Sequence, residues 1–561
     1  MKEEETGVET KLLIIGGVAG GATAAARARR LNEQARIVLF ERGEHISFAN
    51  CGLPYYIGGV IPKREQLLVT TIRDFVERYD IDIRVFSEVT RIDRSMKEVE
   101  VRNVRSGEVY RESYDRIILA PGAEPIRPPI PGIDLPNIFS LRNIPDSDAI
   151  AGYIDVHKPR SALIVGAGFI SLEMAENLVK RGCKVLIIEM LDQVMNVLDY
   201  EMAAIVQAEL EKKGVTCRLG CTATKFAKKG NHIVVSTDNA GDLPADIVLM
   251  TVGVRPENRL AKEAGLEIGQ TGGIRVDPSM RTSDPDIFAV GDAAEVKDLV
   301  TGAPVIVALA GPANKQGRIA ADNAMGRSSV FKGSLGTSIA KVFDLSVAST
   351  GVSEKRLLRY GIPYLTGYTH PASHASYYPG SEVMSIKLLF SPKDGKILGT
   401  QIVGLAGVDK RIDVVATAIK AGMTVYDLEE LELAYAPPYS SAKDPINIAG
   451  YAAANILKGD VEQIVWNELP DLCDKEDVLL DVRNAGELKT EGTMPGAVHI
   501  PLPQLRKRLT ELDKSKRYVP FCAAGLRSYI GHRMLVQHGF RSKSLAGGYR
   551  LFKGVRKKIG R

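Results

Sequence analysis

Six cysteines in 561 residues (Cys51, Cys183, Cys217, Cys221, Cys473 and Cys522) are too few for the cross-linked scaffold of a small secreted protein. None stands in C-x-x-C or zinc-ligand spacing, so no metal site is expected and each thiol is judged alone. No apolar run approaches the ~20 residues needed to span a bilayer. The opening MKEEETGVET is acidic and polar and lacks the apolar stretch of a signal peptide, so a cytoplasmic protein with no membrane partner is expected. A net charge of +5 is small for this length and argues against a dedicated nucleic-acid binder.

What is present is ordinary globular composition, with 45% hydrophobic and 25% charged residues, and 53 glycines, as nucleotide-binding turns require. At about 150 residues per domain the length gives roughly four domains. Lys11 to Ile15 is a buried-strand pattern, followed by a glycine turn and an Ala/Arg-rich helical stretch. A second apolar run, Ile37 to Phe40, closes on Glu41, which completes a βαβ unit. The same grammar returns in Ala162 to Val165, the turn Gly166 to Ser171, a helix, and Val185 to Ile188 ending on Glu189. A Pro-rich connection, Pro125 to Pro136, leaves the first unit, and Asp277 to Asp292 returns to it. A β-rich region with embedded helices starts near Lys332, and Val478-Leu479-Leu480-Asp481 opens a last small α/β unit.

A glycine turn between strand and helix lets backbone N–H groups approach a pyrophosphate, while the acid closing the next strand takes ribose hydroxyls. The first copy lacks the second glycine, where Val18 stands, yet Gly16, Gly21 and Glu41 fit. The second keeps Gly166 and Gly168, has Ser171 for the third glycine, and ends on Glu189, whose charge favours NADH over NADPH. Thr282 to Asp292 resembles the second flavin-binding motif of two-dinucleotide flavoproteins, in which Asp292 would meet the ribityl or pyrophosphate part. Leu119-Ala120-Pro121-Gly122-Ala123 and Gly253-Val254-Arg255-Pro256 are signatures of the same superfamily. FAD plus a nicotinamide nucleotide is the expectation, with Gly17, Ala19, Gly20, Arg42, Asn50, Ala120, Gly122, Phe169, Ile170, Gly253, Gly291 and Ala313 completing the cofactor-binding set.

Cys51 lies in Ser47-Phe48-Ala49-Asn50-Cys51-Gly52-Leu53-Pro54-Tyr55-Tyr56. The second cysteine of a redox pair is lacking, since Tyr56 stands five positions on. A lone redox cysteine forms a mixed disulfide with a small thiol or a sulfenic acid. Its thiolate is expected to gain from the flavin and from a following helix N-terminus. Cys183 and Cys217 read as structural.

These motifs, with Ala434 to Pro445, resemble the coenzyme A disulfide reductase family over residues ~10–457. The resemblance implies a homodimer whose interface domain reaches the partner's active site, with functional tyrosines at Tyr377 and Tyr435. It implies coenzyme A contacts at Thr23, Arg27, Arg30, Ser47, Asn50, Tyr79 and Lys443, although from sequence alone Arg27, Arg29 and Arg30 read as a solvated helix face. The last ~95 residues resemble a rhodanese domain: Asp481-Val482-Arg483 and Gly496 to Pro501 are structural signatures. Cys522-Ala523-Ala524-Gly525-Leu526-Arg527-Ser528 matches the active loop, a cup of N–H groups around the Cys522 sulfur, with Arg527 adding charge or anchoring the loop. The loop is one residue shorter than in related dual-specificity phosphatases, which suits sulfur rather than phosphate. His499 and the basic tail Arg556-Lys557-Lys558 read as structural and solvated respectively.

The implied fold is α/β: two Rossmann-like dinucleotide-binding domains, an α+β dimerisation domain and a C-terminal α/β rhodanese domain. The expected boundaries are 10–145 and 276–330 for FAD, 146–275 for NAD(H), 331–459 for dimerisation and 466–561 for rhodanese. The expected activity is NADH-driven reduction of coenzyme A disulfide, CoA persulfide or polysulfide at Cys51, with Cys522 relaying sulfane sulfur. The alternatives are an NADH oxidase or peroxidase cycling a Cys51 sulfenic acid, and a sulfur carrier or redox sensor acting through Cys522. Ala19 to Thr23 lack the histidine of NADH peroxidases, and the nicotinamide motif argues against a mere carrier.

Overall fold

The computed structural model describes residues 10–472, 476–556 and 558–560, so Cys473 and Lys557 lie outside the described residues. The chain forms two compact units, 1–190 with 215–336, and 191–214 with 337–561.

In the first unit, Leu12, Leu13 and Ile14 are fully buried, a continuous apolar run of the kind a parallel strand covered on both faces requires. Each such side chain contributes roughly 1.5–3 kcal/mol by leaving water. The strand Lys11–Ile15 sits at the centre of a five-stranded sheet, with Arg36–Phe40 and Asp82–Arg84 on one side and Arg116–Leu119 and Ile287–Ala289 on the other. The last of these comes from beyond the second dinucleotide-binding region, so the chain does return to complete the first sheet. A second five-stranded sheet is built on Ser161–Val165, flanked by Lys184–Glu189, Thr216–Leu219, Ile247–Met250 and Ile138–Phe139. Every pairing in both sheets is parallel, as βαβ crossovers demand.

In the second unit, an antiparallel sheet runs Ser338–Val342, Leu345–Gly351, Ile397–Gly404, Ser385–Phe390, Leu365–Thr369. Helices Val408–Ala421 and Pro445–Leu457 cover it and close its core. A four-stranded parallel sheet, Val498–His499, Asp477–Asp481, Arg517–Phe521 and Arg541–Ser542, forms the C-terminal domain. The fold is thus α/β with two Rossmann-type domains, an α+β dimerisation domain and a rhodanese domain.

The segment 191–214, which follows the second acidic strand end, packs in the second unit around a buried cation. Lys387 is fully buried and ion-paired to Asp199, Glu201 and Glu354. Glu201 also accepts from the Tyr368 hydroxyl at 2.7 Å and the Trp466 indole N–H at 3.1 Å. These carboxylates hold the Lys387 ammonium well above its usual range despite burial. The three acids cluster closely enough to suit a metal ion, but the lysine supplies the cation.

Candidate active sites

The first glycine turn is dictated by space. Gly16 has φ +101°, and a Cβ there would lie 2.1 Å from the Ala120 carbonyl oxygen. Glu41 accepts from the Gly17 N–H at 2.9 Å and the Gly43 N–H at 2.8 Å, so its carboxylate is fixed beside the turn. Ala19 and Gly20 open the helix Ala19–Leu31, and the helix Ala310–Ala324 presses against it, where a Cβ on Gly317 would meet the Gly20 oxygen at 2.2 Å. Ala313 is buried on that second helix, 3.6 Å from the Cβ position of Gly291. Gly122 and Gly253 have φ +77° and +121°. Arg42 faces Glu257 at 3.9 Å. Asp292 is half-buried, and desolvation raises its carboxyl against the opposing pull of Arg142. A carboxylate short of compensation beside open glycine backbone fits a flavin's hydroxyl-bearing chain and pyrophosphate.

The second turn repeats the device. Gly166 has φ +106°, and a Cβ would lie 2.6 Å from the Thr251 oxygen, whereas Gly168 has open space around its Cβ position. Phe169 and Ile170 begin the helix Phe169–Lys180. Ser171 does more than stay small: its hydroxyl accepts from the Gly168 N–H at 3.2 Å and hydrogen-bonds Thr251 Oγ1 at 2.8 Å. Glu189 accepts from the Ala167 N–H at 2.8 Å, the counterpart of Glu41 in the first turn. Both turns therefore fit a dinucleotide.

Cys51 sits in a single 3-10 turn, Asn50–Gly52, directly before the helix Leu53–Ile57, and it is exposed, as is Asn50. The expected help from that helix terminus is outweighed. Partial desolvation, then the charges of Glu173 and Asp292, push the Cys51 thiol above its usual value. The chain's own groups therefore raise the thiol, and the expected gain is left to the flavin. Glu173 was missed in the sequence: nothing local marks it, since only packing of helix Phe169–Lys180 on Leu53–Ile57 brings it here.

Around the helix Ala19–Leu31, Thr23 hydrogen-bonds Asn314 at 2.8 Å and Arg27 pairs with Asp322 at 2.7 Å. Arg29 is buried and donates to the carbonyls of Tyr79, Glu33, Ala35 and Asp80, so it caps the helix end and is no solvated cation. Arg30 is exposed and stacks over Tyr79 with 5.9 Å between guanidinium carbon and ring centroid. Ser47 has φ +48°, with its N–H bonded to the Gly17 oxygen. In the second unit Lys443 is exposed, and the Tyr377 and Tyr435 hydroxyls hydrogen-bond each other at 2.9 Å.

Cys522 follows the strand Arg517–Phe521 and is 2% exposed. Its sulfur accepts from the Gly525 N–H at 3.1 Å and lies 3.8 Å from the Ser528 hydroxyl. Gly525, at φ +113°, opens the helix Leu526–Gln537, so the sulfur sits at a helix N-terminus. Arg527 donates to both oxygens of Glu487, at 2.6 and 2.7 Å, and also feels Cys522. Glu487 was not found in the sequence. Behind the loop, Tyr549 N–H donates to the Cys522 oxygen at 2.7 Å. His499 donates to the Arg483 oxygen, a structural role. Lys558 pairs with Asp192 and stacks over Tyr200, so this part of the basic tail is not free in solvent.

Residues 10–317 match the family described as pyridine nucleotide-disulphide oxidoreductase, and 337–445 match its dimerisation domain. The chain belongs to the pyridine nucleotide-disulphide oxidoreductases. Residues 465–554 match the rhodanese-like domain. As a member, this oxidoreductase works with FAD and NADH, and its dimerisation domain points to a homodimer. It is similar to a coenzyme A disulfide reductase of Staphylococcus haemolyticus, 36% identical over 80% of this chain and 100% of that protein. A reduced CoADR-RHD from Bacillus anthracis is 48% identical with a TM-score of 0.96, covering 99% of both chains. A NAD-dependent persulfide reductase from A. fulgidus is 38% identical, with a TM-score of 0.91 over 97% of this chain and 100% of that one. No helix among the described residues is long and apolar enough to cross a membrane.

Proposed function

We propose that this oxidoreductase reduces the sulfur–sulfur bond of coenzyme A disulfide, CoA persulfide or polysulfide at Cys51. The observation that carries the reading is one exposed thiol, without a second cysteine, inside the FAD unit and against the helix of the nicotinamide turn. FAD supplies the passage of an electron pair from NADH to sulfur. The Cys51 thiolate attacks one sulfur of a CoA disulfide, forms Cys51–S–S–CoA and expels one CoA thiolate. Two electrons and a proton then regenerate the Cys51 thiolate and release the second CoA thiol. With a persulfide, attack on the terminal sulfur leaves sulfane sulfur on Cys51, and two electrons and two protons discharge it as hydrogen sulfide.

Arg30 and Lys443 meet CoA phosphates, with Thr23, Arg27, Ser47, Asn50 and Tyr79 along the same ligand. Tyr377 and Tyr435 serve the partner subunit's Cys51, donating to the departing thiolate. Cys522 carries sulfane sulfur as a persulfide held by the Gly525 N–H. The protein acts in the cytoplasm on small thiols and needs no nucleic acid.

Anaerobic NADH consumption is measured with CoA disulfide, CoA persulfide and polysulfide for wild type, Cys51→Ser and Cys522→Ser. Cys51→Ser is expected to lose all three activities, and Cys522→Ser to keep CoA disulfide reduction. Loss of every activity in Cys522→Ser alone would overturn the assignment.

A further inference from the structure

Tyr377 and Tyr435 stand 58 positions apart on two loops of the second unit, and both rings are exposed. Exposed side chains spread over their rotamers, so a fixed hydroxyl pair requires that both loops be held from behind. What holds them is a buried polar cluster. Arg411, on the helix Val408–Ala421, is 1% exposed. Its Nη2 reaches the Ser373 oxygen at 2.9 Å, at the start of the Tyr377 loop, the Ser440 hydroxyl at 3.1 Å and Asp444 Oδ2 at 2.9 Å. Its Nη1 donates to the Gly407 oxygen at 3.1 Å.

Ser440 is where the two loops meet. Its hydroxyl donates to Asp444 Oδ2 at 2.7 Å, its oxygen accepts from the Ala375 N–H at 3.0 Å, and its N–H donates to the Ala436 oxygen at 3.1 Å. Ala375 belongs to the Tyr377 loop, and Ala436 follows Tyr435 directly. On the other side of Tyr435, the Ala434 oxygen accepts from Lys410 at 3.3 Å, and Lys410 also faces Asp444 at 3.7 Å. Asp444 is itself fixed, since it accepts from the Ile446 N–H at 3.0 Å as the cap of the helix Pro445–Leu457.

We infer that Arg411 is a positioning residue for the reaction at Cys51: with Lys410, Ser440 and Asp444 it sets the separation and direction of the Tyr377 and Tyr435 hydroxyls. The inference rests on the reading that these tyrosines serve the partner subunit's Cys51. A guanidinium is what the place demands, because its planar fork meets two carbonyls and a carboxylate at once, whereas an ammonium is a point charge. Burial would raise the Asp444 carboxyl, yet the Ile446 N–H, Ser440 and Arg411 hold it below its usual value, so the cluster keeps its charges.

The test is a double-mutant cycle on anaerobic CoA disulfide reduction by the FAD-loaded dimer. Arg411→Lys should lower kcat roughly tenfold, keep KM within about a factor of two, and leave NADH reduction of the flavin, followed by stopped flow, at the wild-type rate. Tyr377→Phe combined with Tyr435→Phe should lower kcat at least as much. Adding Arg411→Lys to that background should cost no more than about a further factor of two, because the hydroxyls through which Arg411 acts are gone. Lys410→Met changes a side chain only partly buried and so covers the case in which Arg411→Lys fails to fold. It should give a several-fold loss of kcat that likewise vanishes in the tyrosine background. An unchanged kcat in Arg411→Lys, or losses that multiply in the combined variants, overturns the inference alone, since Arg411 is then a core ion pair and nothing more. A double phenylalanine variant as fast as wild type overturns the tyrosine assignment in the proposed function, and the inference falls with it.

Discussion

Arg527 grips Glu487 through two parallel hydrogen bonds of 2.6 and 2.7 Å, and the loop that holds the Cys522 sulfur is thereby tied to the helix Ala485–Glu491. The guanidinium keeps the Glu487 carboxyl depressed to about 2. A depressed acid stabilises the fold above its unfolded value near 4.5, and that contribution drains as pH falls toward 2. The pair is about a quarter to a third exposed, so its worth is about 1 kcal/mol. Glu487→Gln should lower the melting temperature at pH 7, and the difference should shrink as pH falls toward 2, read by calorimetry. The same variant should slow sulfur loading of Cys522, measured by persulfide labelling.

His370 is fixed in one neutral form. The Gly547 oxygen, 3.0 Å from Nε2, can only accept, so Nε2 carries the proton and Nδ1 accepts from the Ser385 hydroxyl at 2.9 Å. Burial, then the charge of Arg550, lowers the ring to about 4. For a base so depressed, stability is complete above 6.5 and is lost as pH falls from there to about 4, by at most about 3 kcal/mol. His370→Ala should remove that stretch of pH dependence. It should also cost about 1–3 kcal/mol at pH 7, because the buried Gly547 carbonyl keeps only the longer 3.4 Å bond from the Leu551 N–H. Denaturant unfolding at pH 5 and pH 7.5 checks both.

Lys387→Met should be the most damaging single change in the second unit. It leaves Asp199, Glu201 and Glu354 facing one another without their cation. Removing one partner of a buried ionic group costs about 3–5 kcal/mol. Lys387→Arg should recover little, since a larger fork must fit a fully buried place. The midpoint of chemical denaturation reports both.

Glu189→Ala should relax nucleotide choice. The carboxylate stands at the end of the second strand, held by the Ala167 N–H, and an acid closing that strand in such a unit faces the ribose hydroxyls. Losing its repulsion of a 2′-phosphate should raise kcat/KM for NADPH relative to NADH roughly tenfold, a change of about 1.4 kcal/mol. Steady-state kinetics with both nucleotides gives the ratio.

The sequence displayed its sheets well because buried parallel strands are unbroken apolar runs. The run read as Lys11 to Ile15 is a strand with those same ends, and Glu41 and Glu189 each accept from an N–H of their glycine turns. Local motifs likewise carried Cys51 and Cys522. What stayed hidden is whatever tertiary packing chooses. Glu173, Glu487 and His370 sit in unremarkable strings and acquire meaning from partners 15 to 177 positions away. Arg29 misled for the same reason: its carbonyl partners include Tyr79 and Asp80, beyond any local pattern. The segment 191–214 follows the nicotinamide strand in sequence, yet it packs with the C-terminal unit, because the cation its acids require is Lys387.

Trp466 is the single tryptophan of the chain, and its indole donates to Glu201 beside the Tyr200 ring. Nature has thus placed one intrinsic fluorophore where the tether into the rhodanese domain meets the buried ionic hub. Its emission colour follows whether that hydrogen bond is made or the ring is wetted. Whether that contact survives ligand binding or mild denaturant can be watched in real time without attaching a dye.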